Sequence, residues 1–326
     1  MSRIDVHHHF VPEAYVRAFQ ASAKGDPSGW TLPKWSVKSS LDLMQSHGTK
    51  TAILSITSPG TTVLEGDLQA ANTLAREINQ AAAAIAKEHP DNFGFFATLP
   101  PLADNLPAVL DEVSYALDTL KADGVTLFTR YGKHYLGHPS FGSLWDELDK
   151  RGAVVFIHPT HSVGADLVSS VLPQPVIDYP HETTRTAVDL ITSGTFKEHP
   201  NVKIILSHAG GTLPYLATRA AHLLSDFGLT SHISADDFLD QAKSFYFDLA
   251  LSGNPLTLEL LFRFAKPGHI LYGSDFPYAP TKSITTHVEM LDEYVAERLD
   301  QDTAYSVDRG AALELFPRLR GKGEQE

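Results

Sequence analysis

Near the start of the chain the run Arg3-Ile4-Asp5-Val6-His7-His8-His9-Phe10 carries two alternating histidines. Alternate residues of a β-strand face the same way. His7 and His9 are therefore expected on one side with Asp5, and His8 on the other with Ile4 and Val6. Two imidazoles so placed can hold one metal ion. Three more ionisable residues end apolar runs. His158 closes the run 153–158 before Pro159, His208 closes 202–208 before Ala209-Gly210-Gly211, and Asp275 closes 270–275 before Phe276-Pro277. Each has a bland account taken singly, as a hydrogen-bonded core histidine or a turn-capping aspartate. Five ionisable groups at the ends of apolar runs are a poor match to independent accidents. His89, His199 and His269 adjoin proline or glycine or lie in loops and read as solvated. His134, His138 and His161 stay ambiguous.

The elements that must carry these groups are short apolar strands alternating with helices. Strands are predicted at 3–10, 51–56, 93–99, 125–128, 153–158, 202–208, 244–249 and 270–275. Helices are predicted between them, at 39–45, 67–88, 106–122, 141–151, 183–197, 213–227 and 257–265, and beyond the last strand. Eight such units predict a (β/α)8 TIM barrel, an α/β fold, with residues 1–326 as a single domain. In that fold catalytic groups sit at the C-terminal ends of the strands, where all five residues fall. A doubly wound open sheet would carry a glycine-rich turn after its first strand, and His-His-His stands there instead. Residues 10–38 are expected to form a flap over the mouth. Trp30 and Trp35 are either walls of the site or anchors of the flap. Residues 321–326 read as a frayed tail.

Composition narrows the function. The net charge of -13 argues against nucleic acid and anionic membranes as partners. With no cysteine, any zinc must be held by His, Asp or Glu. No apolar stretch approaches the roughly 18 residues of a membrane span, and no signal-like segment opens the sequence, so a cytoplasmic protein is expected.

The motifs Asp5-Val6-His7-His8-His9, His158-Pro159, Ser207-His208-Ala209-Gly210-Gly211 and Gly273-Ser274-Asp275-Phe276-Pro277 resemble the amidohydrolase superfamily. The resemblance is narrower to its metal-dependent decarboxylase branch, which includes the aminocarboxymuconate-semialdehyde, resorcylate and methylsalicylate decarboxylases. It implies His7, His9, His158 and Asp275 as metal ligands and His208 as the acid/base or polarising group. Val125-Thr126-Leu127-Phe128-Thr129 lacks the lysine that binuclear members place after strand four, which implies one divalent ion, Zn(II) first, with Mn(II) or another as alternatives. Gly211 stands where resorcylate decarboxylases carry a glutamate, and so favours the other subgroups. The implied reaction is loss of CO2 from a small aromatic acid of the salicylate type, 6-methylsalicylate of polyketide pathways first, giving m-cresol. Protonation of the ring carbon by Asp275 or His208 would drive it. The rival is metal-dependent hydrolysis or hydration of a lactone, amide or dicarboxylic acid. Trp30, Trp35, Phe276 and Tyr278 are expected as aromatic walls. Arg219 matches an arginine that reaches the partner's substrate in the semialdehyde decarboxylases, which implies a homodimer. The only basic residue close after a strand end is Arg130.

Overall fold

Apolar residues fill both faces of most of the short strands, as in parallel sheets covered on both sides. In the computed structural model, which describes residues 2–22, 26–64, 66–162, 164, 167–229 and 233–320, eight such strands pair side by side. They are Arg3–His9, Thr49–Ser55, Phe93–Thr98, Gly124–Phe128, Val154–His158, Lys203–Leu206, Tyr246–Asp248 and Ile270–Leu271. All are parallel and follow chain order. The ring is closed by backbone hydrogen bonds. Val6 N–H donates to the Tyr272 carbonyl at 3.0 Å, and Asp275 N–H to that of His7 at 2.8 Å. The fold is the (β/α)8 barrel, with helices around it.

Inside the barrel Ile4, Val6, Phe96, Phe156, Ile205 and Leu271 form one cluster, closed at the base by Leu313 and Phe316. A second, larger cluster lies between strands and helices, with Leu54, Phe95, Leu127 and Ile157 facing outward. The first strand departs from strict alternation. Its register against the second strand shifts between Asp5 and His8, where three residues on one strand match two on the other. Ile4 and Val6 therefore face the same interior as His7 and His9. Asp5 and His8 both turn away from it, so Asp5 does not share the side of the two histidines and His8 does not share that of Ile4 and Val6. The eighth strand is shorter than predicted, because the chain turns out of it and reaches φ +63° at Asp275.

The helix preceding the sixth strand spans Gln174–Thr192 and so starts before the predicted residue 183. Pro175 sits in its first turn, where a missing N–H costs nothing. Pro180 lies inside it. A helix at Ala235–Lys243, capped by the Ser234 side chain, was not expected. In the 10–38 segment, Glu13–Ala21 is helical, and the turn at 26–30 is fixed by Gln174 N–H donating to the Ser28 carbonyl at 3.0 Å. The tail at 321–326 and residues 23–25 of this segment lie outside the described residues. Among the described residues no helix is long and apolar enough to cross a membrane.

Candidate metal centre and cavity

The mouth of the barrel gathers His7 and His9 from the first strand, His158 from the fifth, and Asp275 from the turn after the eighth. Their four donor atoms lie within 4.8 Å of one another. His7 Nε2 and His9 Nε2 are 3.0 Å apart, and the Asp275 carboxylate oxygen stands 3.6 and 3.3 Å from them. The other ring nitrogen of each histidine meets an acceptor. His7 Nδ1 faces Asp248 Oδ2 at 2.9 Å. His9 Nδ1 faces the Ser55 hydroxyl at 2.9 Å and carbonyl at 3.3 Å. His158 Nδ1 faces the Pro159 carbonyl at 2.7 Å. A carbonyl or carboxylate only accepts, so these partners assign the proton to Nδ1 in all three rings. Three Nε2 lone pairs then converge in a buried space beside a carboxylate. That arrangement is repulsive by itself and suits a cation. Burial pushes His7 and His158 well below the usual imidazole range, which keeps them neutral as ligands must be.

Asp248 organises much of this from the end of the seventh strand. It is fully buried. One oxygen takes the His7 ring proton, while the other accepts from the backbone N–H of His208 at 3.1 Å and of Ala250 at 2.9 Å. Burial raises its carboxyl to about 6. The sequence reading missed it, although it ends a strand just as His158 does. A second buried set stands behind the first strand. Asp5 Oδ2 meets His8 Nδ1 at 2.9 Å, His8 Nε2 meets the Ser40 hydroxyl at 2.9 Å, and Trp35 Nε1 donates to the same hydroxyl at 2.8 Å.

His208 is reached through a strained turn. His208 and Ala209 have φ of 56° and 57°, followed by Gly210 and Gly211 at 73° and 63°. Its Nδ1–H donates to the Ala250 carbonyl at 3.0 Å. The opposite ring nitrogen has no protein partner among the described residues. At Gly211 a Cβ would lie 1.9 Å from the Pro180 carbonyl oxygen. Neither a glutamate nor any other side chain fits there.

Above this floor lies a cavity of about 490 Å³, within the usual range for small-molecule sites. His158, His208 and Asp275 line it, with Trp30, Tyr179, Tyr278, Val176 and Leu251 as walls. The structure does not bring the remaining candidates there. Trp35 packs edge-on against Phe10, and Phe276 lies 5.2 Å from the His8 ring, so both back the first strand. Arg219 lies in an open groove with Arg185 and Tyr135. Arg130 turns toward Glu182 at 3.7 Å and, with His161, borders a second cavity. His134, on a short hairpin, meets the ring of His138 just beyond it at 3.7 Å, tilted by 36°.

A barrel that carries two alternating histidines, a third histidine and an aspartate on its strand ends defines a class of metal-site enzymes. The chain belongs to the amidohydrolase family, whose pattern its residues 4–318 match. Among its relatives, a decarboxylase of Penicillium terrestre is 57% identical, covering 100% of this chain and 98% of that one. A 6-methylsalicylic acid decarboxylase of Penicillium expansum is 52% identical over 98% of both. A dihydroxybenzoic acid decarboxylase of Polaromonas, solved with manganese and the inhibitor 2-nitroresorcinol, shares the fold at TM-score 0.82 and 21% identity, over 100% of this chain and 99% of that one.

Proposed function

We propose that this chain is a metal-dependent decarboxylase that converts 6-methylsalicylate to m-cresol and CO2. The observation that carries the reading is the convergence of three Nε2 lone pairs and a carboxylate under a cavity of ring size. Full-length relatives named as decarboxylases, one of 6-methylsalicylic acid, support it. His7, His9, His158 and Asp275 would hold one divalent ion. Three imidazoles and a carboxylate suit Zn(II), and Mn(II) also fits. When bound, the ion supplies a Lewis acid for the carboxylate and ortho hydroxyl of a salicylate.

The chain's own residues do the rest. Asp248 holds His7 in the tautomer that leaves Nε2 bare. Tyr278, 5.5 Å from the His9 ring, and Trp30 offer flat apolar walls to an aromatic ring. Decarboxylation needs a proton on the ring carbon that bears the carboxylate. The carbon–carbon bond then breaks, its electron pair restores the aromatic ring, and CO2 leaves, with one proton consumed per turnover. We assign the proton to His208 Nε2, which faces the cavity while Nδ1 is held by Ala250. Asp275 is the other candidate. Arg219 lies outside its own cavity, so we further propose a homodimer in which it reaches the partner's substrate.

The test is an assay of chelator-treated protein reloaded with zinc or manganese. Substrates are 6-methylsalicylate, salicylate, 2,6-dihydroxybenzoate and aminocarboxymuconate semialdehyde. Release of CO2 and m-cresol, fastest with 6-methylsalicylate, is expected. A methyl contact contributes only about 1–3 kcal/mol, so salicylate should be a poor substrate rather than none. Absence of CO2 from every acid, with opening of a lactone instead, would overturn the reading.

A further inference from the structure

The cavity contains a carboxylate that the reaction does not use. Asp26 lines it together with His158, His208 and Asp275. Its position is fixed: one carboxylate oxygen accepts from Ser28 N–H at 2.8 Å, and its carbonyl accepts from Gly29 N–H at 3.1 Å. Among the described residues, the groups within its electrostatic reach are hydroxyls rather than cations. They belong to Tyr15, Tyr179 and Tyr278. Those of Tyr15 and Tyr278 are buried, and that of Tyr278 has no hydrogen-bond partner among the described residues. No lysine or arginine lines the cavity among the described residues. The two nearby arginines are engaged elsewhere or lie outside, Arg130 on Glu182 and Arg219 in the outer groove. A partly buried carboxylate with no cation beside it among the described residues is a cost to folding. Burial accordingly pushes Asp26 above the usual carboxylate range.

The charge balance gives that cost a use. A divalent ion, Asp275 and one substrate carboxylate cancel. Asp26 adds a negative charge to the cavity wall, and among the described residues no lysine or arginine lines the cavity to offset a second anionic group. We propose that Asp26 is a specificity residue that restricts the cavity to acids with a single carboxylate, rejecting rings that carry two. Like charges a few ångströms apart in a partly buried site change binding by about ten-fold or more.

The inference rests on the decarboxylase reading only for its choice of ligands. The test uses manganese-loaded protein at pH 8 and two probes of one shape, 5-carboxysalicylate and 5-carbamoylsalicylate, whose Kd values are measured by calorimetry. Wild type should prefer the amide at least ten-fold. Asp26→Asn keeps an acceptor for Ser28 N–H and removes the charge. It should bring the preference within about three-fold and melt no lower than wild type. Asp26→Ser, carrying a smaller neutral group, should give the same ratio if the asparagine variant folds poorly. A preference unchanged in either variant, or absent in wild type, would overturn the proposal. If both probes bind with the expected ratios but 6-methylsalicylate releases no CO2, the decarboxylase reading fails and the charge filter stands.

Discussion

The clearest single perturbation is Asp248→Asn. All three polar partners of Asp248 are donors: the His7 ring N–H, and the backbone N–H groups of His208 and Ala250. A carboxylate accepts from all of them. An asparagine has one acceptor and one donor, so its NH2 must face either the His7 ring or the two backbone groups. In the first case His7 shifts its proton to Nε2 and loses the lone pair aimed at the metal. In the second, two buried N–H groups lose their acceptor and the His208 turn loosens. Losing a carboxylate that orients a ligating histidine lowers metal affinity by about 10- to 100-fold, or about 1.4–2.8 kcal/mol. The assay is metal competition against a chromogenic chelator, followed by kcat at saturating metal. The expected result is affinity weakened at least ten-fold, with activity partly recovered by excess metal. A variant that binds metal within two-fold of wild type would show that Asp248 does not set the His7 tautomer.

Other outcomes follow from the same geometry. His208→Ala should retain the metal, because His208 is outside the four-donor set, and lose roughly 10²-fold or more in kcat; near-normal turnover would remove it from the mechanism. Gly211→Ala forces a Cβ against the Pro180 carbonyl at a backbone angle that favours glycine, so a loss of about 3 kcal/mol or more, read as a lowered Tm, is expected. Sedimentation should show a dimer at assay concentration, and Arg219→Ala should raise KM more than it lowers kcat. A fully active monomer would exclude the trans role of Arg219.

Much of the site was legible because a barrel places strand ends at one mouth, whatever their separation in sequence. His7, His9, His158, His208 and Asp275 were found by that rule alone. Asp248 obeys the same rule, but the predicted strand 244–249 runs one residue past it, so only the observed end of the strand at Asp248 places it at the mouth. The sides of the first strand were not legible. Period-two alternation cannot anticipate a bulge, and the shift between Asp5 and His8 regroups Ile4, Val6, His7 and His9 on one face. The start of the helix at Gln174 was obscured by Pro175 and Pro180, which read locally as breakers and are tolerated in the fold. Loop residues were least legible of all. Trp30 reaches the cavity while Trp35, five residues on, binds Ser40, and only the path of the chain separates the two.

The closure of the barrel between His7 and residues 272–276 has a consequence for how the protein is made. Two of the four donors leave the ribosome with the first strand, whereas Asp275 emerges more than 260 residues later. The same late segment supplies the hydrogen bonds that pair the first strand on its open side. Until it arrives, a nascent chain presents an unpaired edge bearing adjacent imidazoles, a liability for edge-to-edge association and for capture of stray metal. Completion of the ring and completion of the ligand set are thus one event in biosynthesis. A release factor, a chaperone or a premature stop acting before residue 275 would meet a chain that has neither.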